Sequence, residues 1–183
     1  GATDQSVCDE IPRLLDDYAG WIEFAKPDRV CCGAFEQGHI DHDATNFVVN
    51  SVFSGPVLEI PFYHTYLGRI QTMNRFGIPE GQEVIDLSDE EALLKKEIAK
   101  AFPSQNIWSV LLWYEIWQAV RFKPIELAKS ERMRIQTHSD FTRPNVPAHL
   151  LKRLERSETW SRWLRAIEPH LAKVPERTPS LLS

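Results

Sequence analysis

Cysteine is scarce: Cys8, Cys31 and Cys32 are all that 183 residues contain. The count is odd, and adjacent Cys31–Cys32 lacks the two-residue spacing of a redox pair or a zinc knuckle. Free thiols in a reducing compartment are therefore expected, with one bridge from Cys8 to either neighbour left open. No apolar run reaches the ~20 residues that a membrane-spanning helix needs; the longest, Ile107 to Phe122, is interrupted by Ser109, Glu115 and Gln118. No basic stretch followed by an apolar one opens the chain, so no signal peptide is read, although Gly1-Ala2 lacks an initiator Met and a leader could have been removed. These absences predict a protein without a membrane anchor, in the cytoplasm, with a secreted form left open. Also missing are the Gly-x-Ser-x-Gly elbow of serine hydrolases, the P-loop glycine pattern and any internal repeat.

Hydrophobic residues make up 43% of the chain, with six Trp and nine Phe, enough for one compact domain with a sizeable core. The net charge of −5 hides an asymmetry. Residues 1–120 carry 8 Lys+Arg against 19 Asp+Glu, and residues 121–183 carry 13 against 7. Attraction between the two portions within one domain accounts for this, and a basic surface for an acidic partner is the sharper alternative.

The apolar spacing reads as helical nearly throughout. Val7, Ile11, Leu14, Leu15, Tyr18 and Ile22 recur at three and four residues, with Pro12 in the first turn and Lys26-Pro27 as the stop. Residues 27–42 read as irregular, and Asp43 is the expected N-cap of a helix to Phe53, although Phe47-Val48-Val49 would also suit a strand. Pro61 opens a predicted helix bearing Phe62, Tyr66, Ile70 and Met73, which Gly77 closes. Ser88-Asp89-Glu90-Glu91 is a capping box for a helix that ends before Pro103.

Residues 104–122 are apolar all round, with Ile107, Trp108, Leu111, Leu112, Trp113, Ile116, Trp117 and Val120, which predicts a central, buried helix. Ile125 to Ile135 give a weaker helical pattern, followed by a polar loop from His138 to Asn145. Asn145 and Pro147 open a helix with Leu150, Leu151 and Leu154 inward. Ser157 starts the last one, which carries Trp160, Trp163, Leu164, Ile167 and Leu171 on one stripe. The expected fold is an all-α irregular bundle of about seven or eight helices around residues 104–122, a single domain with a loose tail from about Pro175.

The densest set of potential ligands is Gly38-His39-Ile40-Asp41-His42-Asp43, with His64 downstream. Imidazoles and carboxylates at this density can hold a divalent transition metal, so His39, His42, Asp43 and His64 form the candidate ligand set, and His42 is a candidate catalytic group. The spacing matches neither His-Glu-x-x-His nor Glu-x-x-His. A polar loop with a capping aspartate explains the same residues without function. Glu115 lies among Trp113, Tyr114, Ile116 and Trp117. A carboxylate in such surroundings has a raised pKa and can act as a general acid, or it pairs with a basic side chain from the last helices.

Lys152, Arg153, Arg156, Arg162 and Arg165 beside Trp160 and Trp163 could meet phosphates and bases. The tryptophans fall on the core stripe, however, and the overall acidity argues against a nucleic-acid binder. The segment from Leu154 to Arg165, Leu-Glu-Arg-Ser-Glu-Thr-Trp-Ser-Arg-Trp-Leu-Arg, resembles the closing helices of regulator-of-G-protein-signalling domains. The resemblance covers about a dozen residues and implies an all-helical module that holds the switch loops of a Gα subunit; it assigns no site residues. With no catalytic signature, the leading expectation is a protein-binding or regulatory domain. Its surface would be the last two helices and the loop around His138 to Asn145. The alternative is an enzyme, metal-dependent or cofactor-free, or a small-molecule binder, with an aromatic pocket served by His39, His42, Asp43, His64 or Glu115.

Overall fold

The computed structural model describes residues 3–64, 72–101, 113, 116–122 and 129–175. The chain forms two compact units, residues 1–82 with 133–183, and residues 83–132.

In the first unit a 3-10 turn, Val7–Glu10, leads into α1, Ile11–Ala25, whose Pro12 occupies the first turn. Lys26 ends α1 in the left-handed region, φ 45°, with its N–H donating to Ile22 O. The stretch expected to be irregular then holds a strand, β1, Val30–Gly33. Helix α2, Ile40–Val52, begins one turn earlier than expected, because His39 and not Asp43 is its N-cap. Strand β2, Val57–Ile60, runs parallel to β1, with Val30 opposite Val57 and Gly33 opposite Ile60. The helix expected from Pro61 is replaced at both ends by short antiparallel strands, β3, Tyr63–His64, and β4, Thr72–Met73.

Strand β5, Glu83–Asp86, precedes α3, Asp89–Lys100, which starts at the expected capping box: Ser88 Oγ accepts the Glu91 N–H and the Glu91 carboxylate accepts the Ser88 N–H. The weak helical pattern toward Ile135 is in fact a strand, β6, Ser130–Ile135, which runs antiparallel to β2 with Glu59 opposite Arg134. Strand order is β1–β2–β6–β5. Helices α4, Ala148–Leu154, and α5, Glu158–Ile167, close the fold, with Ser157 capping α5 as expected, and a 3-10 segment, Glu168–Lys173, follows.

The all-α bundle is therefore incorrect: the chain is mixed α/β, with a four-stranded mixed sheet. The resemblance to regulator-of-G-protein-signalling domains implied an all-helical module, and the sheet is at odds with it. Of the helix expected at residues 104–122, residues 104–112, 114 and 115 lie outside the described residues, and the others are not a buried axis. Trp113 and residues 116–120 are helical, but among the described residues of that stretch Gln118 is the one that is buried, while Trp113 is 68% and Phe122 99% exposed. No helix among the described residues is long and apolar enough to cross a membrane.

The core of the first unit lies between α2 and the helices α1, α4 and α5. Phe35, Phe47, Phe141 and Trp163 pack there with ring centroids 4.8–5.9 Å apart, mostly edge to face, the arrangement that aromatic quadrupoles favour. The Trp163 indole N–H, which burial would otherwise leave unsatisfied, donates to Phe141 O at 3.0 Å. A second cluster joins Cys32, Val49, Phe53 and Val57 between α2 and the parallel strands. Burying α2 on both sides fixes the direction of its N-terminus, which points at the carboxyl ends of β1 and β2.

Candidate functional site

Open parallel strands leave a crevice outside their carboxyl ends, the usual location of a ligand in such sheets. Here β1 ends at Gly33 and β2 at Ile60, and a small, shallow cleft opens beyond them. Ala34, Glu36 and Gly38 from the loop after β1, His39, His42 and Asp43 from the head of α2, and Phe62 after β2 line it. Three of the predicted ligand residues thus share one cleft.

The loop after β1 is held by its backbone. The N–H of Phe35 donates to Glu59 Oε1 at 3.0 Å, and the N–H groups of Glu36 and Gln37 both donate to Asp43 Oδ1 at 3.1 and 3.0 Å. Two buried carboxylates therefore fix three consecutive amides. Asn145 adds a third attachment: its side-chain amide donates to Phe35 O and its backbone N–H to Gln37 Oε1. The polar loop expected at His138–Asn145 is thus partly a brace for this one. Burial pushes the Asp43 carboxyl well above the usual range; the two amide bonds oppose that shift, and the charges of Glu36 and Glu59 add to it.

The two cleft histidines differ. His39 is a helix N-cap whose Nδ1 accepts the Asp41 N–H at 3.3 Å, so its proton is assigned to Nε2, which lies 3.7 Å from Asp4 Oδ1. Asp41 in turn accepts the N–H groups of Gln5 and Val7 at 2.7 and 3.0 Å, tying the N-terminal segment to the head of α2. The His42 ring centroid is 4.9 Å from that of His39 and 4.9 Å from that of Phe62. Phe62 is half-exposed and lies so close over Gly33 that a Cβ there would be 2.7 Å from its ring. Ligand atoms of Asp4, His39 and Asp41 lie within 4.8 Å of one another, a different grouping from the predicted one. His64 stands in β3 opposite Thr72, and Glu115 lies outside the described residues.

Beneath the cleft is a buried polar network that sequence reasoning missed. Glu59, fully buried on β2, receives Arg134 Nε at 2.7 Å and Asn46 Nδ2 at 3.3 Å, and His138 Nε2 lies 3.9 Å away. Arg134 also donates to Ile78 O at 2.6 Å and stacks 4.2 Å over the Phe76 ring. Asn46, Asn50 and Gln136 bond to one another between α2 and β6. A sequence signal existed for part of this: Asn46 and Asn50, four apart on α2, bracket the apolar Phe47-Val48-Val49, and Glu59 interrupts the apolar strand Val57-Leu58-Glu59-Ile60. Among the described residues, three carboxylates (Glu36, Asp43, Glu59) and one guanidinium (Arg134) are buried, all in this unit. A cation in the cleft would offset the desolvation that pushes the Asp43 carboxyl up.

Comparison with protein-family models, with curated proteins and with solved structures gives no match, so the functional reading rests on this geometry.

Proposed function

We propose that this protein is an enzyme of metal-assisted hydrolysis whose centre is the cleft at the carboxyl ends of β1 and β2. The observation that carries the reading is that His39, His42 and Asp43 line one cleft, with the His39 and His42 ring centroids 4.9 Å apart. His42 supplies an imidazole ligand to a divalent transition metal, and His64, on the strand that follows β2, is the candidate second ligand. His39 has the opposite polarity: with Nδ1 accepting the Asp41 amide, its Nε2–H is a donor suited to an oxygen on which charge develops. A metal bound here would polarise water and a substrate carbonyl or phosphoryl oxygen. Asp43 and Glu59 hold the loop that shapes the cleft, and Phe62 offers an apolar wall for the non-reacting part of a substrate.

Elemental analysis of chelator-free protein tests this. The expected result is about one transition-metal ion per chain, lost in His42→Ala and kept in His39→Gln. Metal-free wild type that also takes up none of zinc, manganese, iron or cobalt would overturn it.

A second reading, association with a protein partner, is favoured by the exposed apolar side chains of residues 83–132. Cys8, Cys31 and Cys32 are all free thiols, which supports a reducing compartment as the proposed location. A nucleic-acid partner is disfavoured by the net charge of −5.

A further inference from the structure

Residues 3–7 are tied to the head of α2 at three points. The N–H groups of Gln5 and Val7 donate to the two oxygens of Asp41 at 2.7 and 3.0 Å, and Asp4 Oδ1 lies 3.7 Å from His39 Nε2. Gln5 has φ 62°, in the left-handed region that a residue with a side chain seldom occupies. Such a conformation persists where the surrounding structure holds it, and the short bond from Gln5 N–H to Asp41 is a hold of that kind. The three points differ in strength. The two bonds to Asp41 are charge-assisted hydrogen bonds onto a part-buried side chain. The Asp4 contact is longer than a hydrogen bond, and the Asp4 side chain is 78% exposed against 18% for His39, so water and salt weaken this end first. The segment therefore has a fixed point on Asp41 and a loose end on His39.

We infer that residues 3–7 form a strap at the rim of the cleft, anchored on Asp41, whose Asp4 end covers His39 in the resting protein and lifts when a ligand oxygen takes the His39 N–H. On the reading of His39 as a donor, on which this rests, Nε2 is both the atom that Asp4 faces and the atom at which a substrate oxygen arrives. A carboxylate and that oxygen compete for one proton. His39 lines the cleft and Asp4 does not, which places the strap outside the lining and against one of its donors. Lifting breaks the loose contact and leaves both amide bonds to Asp41 in place, so the strap closes again without refolding.

Carbethoxylation of the metal-free full chain by diethyl pyrocarbonate, followed histidine by histidine with mass spectrometry, is the test, with exposed His149 as internal reference. The wild type is expected to react at His39 well below the rate at His149. Asp4→Ala keeps both amide anchors and alters an exposed side chain, and it should raise the His39 rate at least twofold. Asp41→Ala removes the anchors and should raise it at least fivefold, with the His149 rate and the far-UV circular dichroism unchanged. A His39 rate that either variant leaves at the wild-type value would overturn the inference. So would a rise at His42 equal to that at His39 in Asp4→Ala, which would mean that the head of α2 frays rather than that a strap lifts. Because the protein is metal-free, this result stands apart from the metal analysis that tests His42 as a ligand.

Discussion

Asp43 shows how one carboxylate can be structural and electrostatic at once. Its Oδ1 accepts two loop amides, a role an Asn oxygen can fill, while its charge is opposed by burial and by Glu36 and Glu59. Asp43→Ala, which leaves two amides without their acceptor, is expected to cost about 1–3 kcal/mol in denaturant unfolding, and Asp43→Asn much less. The pH dependence has a definite sign. Because the folded-state pKa is raised above the unfolded value, the proton is held more tightly in the folded protein, and the stability linked to this group falls as pH rises from the ordinary carboxylate range through the raised value. Stability of the wild type relative to Asp43→Asn should therefore decline over that interval, a trend that urea melts across pH would show. Glu59 is the other fixed point of the loop. Its removal in Glu59→Ala leaves the buried Arg134 guanidinium without its carboxylate, at a cost of roughly 3–5 kcal/mol, read as a fall in urea midpoint.

At the scale of elements, local rules worked where structure is local. The capping box at Ser88 is read directly from four residues and is present with both of its hydrogen bonds. Ser88→Ala should cost about 0.5–2 kcal/mol and raise amide exchange at Asp89–Ala92 before any change in the first unit. Pro12, Ser157 and the α5 stripe of Trp160, Trp163 and Ile167 were legible for the same reason. The strands were not. Val30–Gly33 is four residues long, flanked by what look like loop residues, and becomes a strand only because Val57–Ile60 lies beside it. Strand β6, Ser-Glu-Arg-Met-Arg-Ile, has too few apolar residues to show a period, and its Arg134 makes sense only against Glu59, 75 positions away. Trp113, Ile116, Trp117 and Val120 were read as part of a central helix, yet all four are exposed, because apolar composition does not say whether anything packs against it.

Over the whole molecule the candidate site follows the same division. His39, His42 and Asp43 could be picked out because they are adjacent in sequence, and they share a cleft because α2 starts where β1 and β2 end. Glu59, Arg134, Gln136 and Phe62 reach that region from other elements, and no spacing rule connects them to it. The difference between the two histidines was also invisible, since it depends on which ring nitrogen already accepts a backbone amide. The account of function rests on one claim, that His42 binds a metal ion while His39 does not. The most direct test is titration of metal-free protein with cobalt(II), followed through the visible absorption bands that protein ligands confer on that ion. Saturable bands at one equivalent, abolished in His42→Ala and retained in His39→Gln, are the predicted result; a flat titration, or bands that survive His42→Ala, would contradict it.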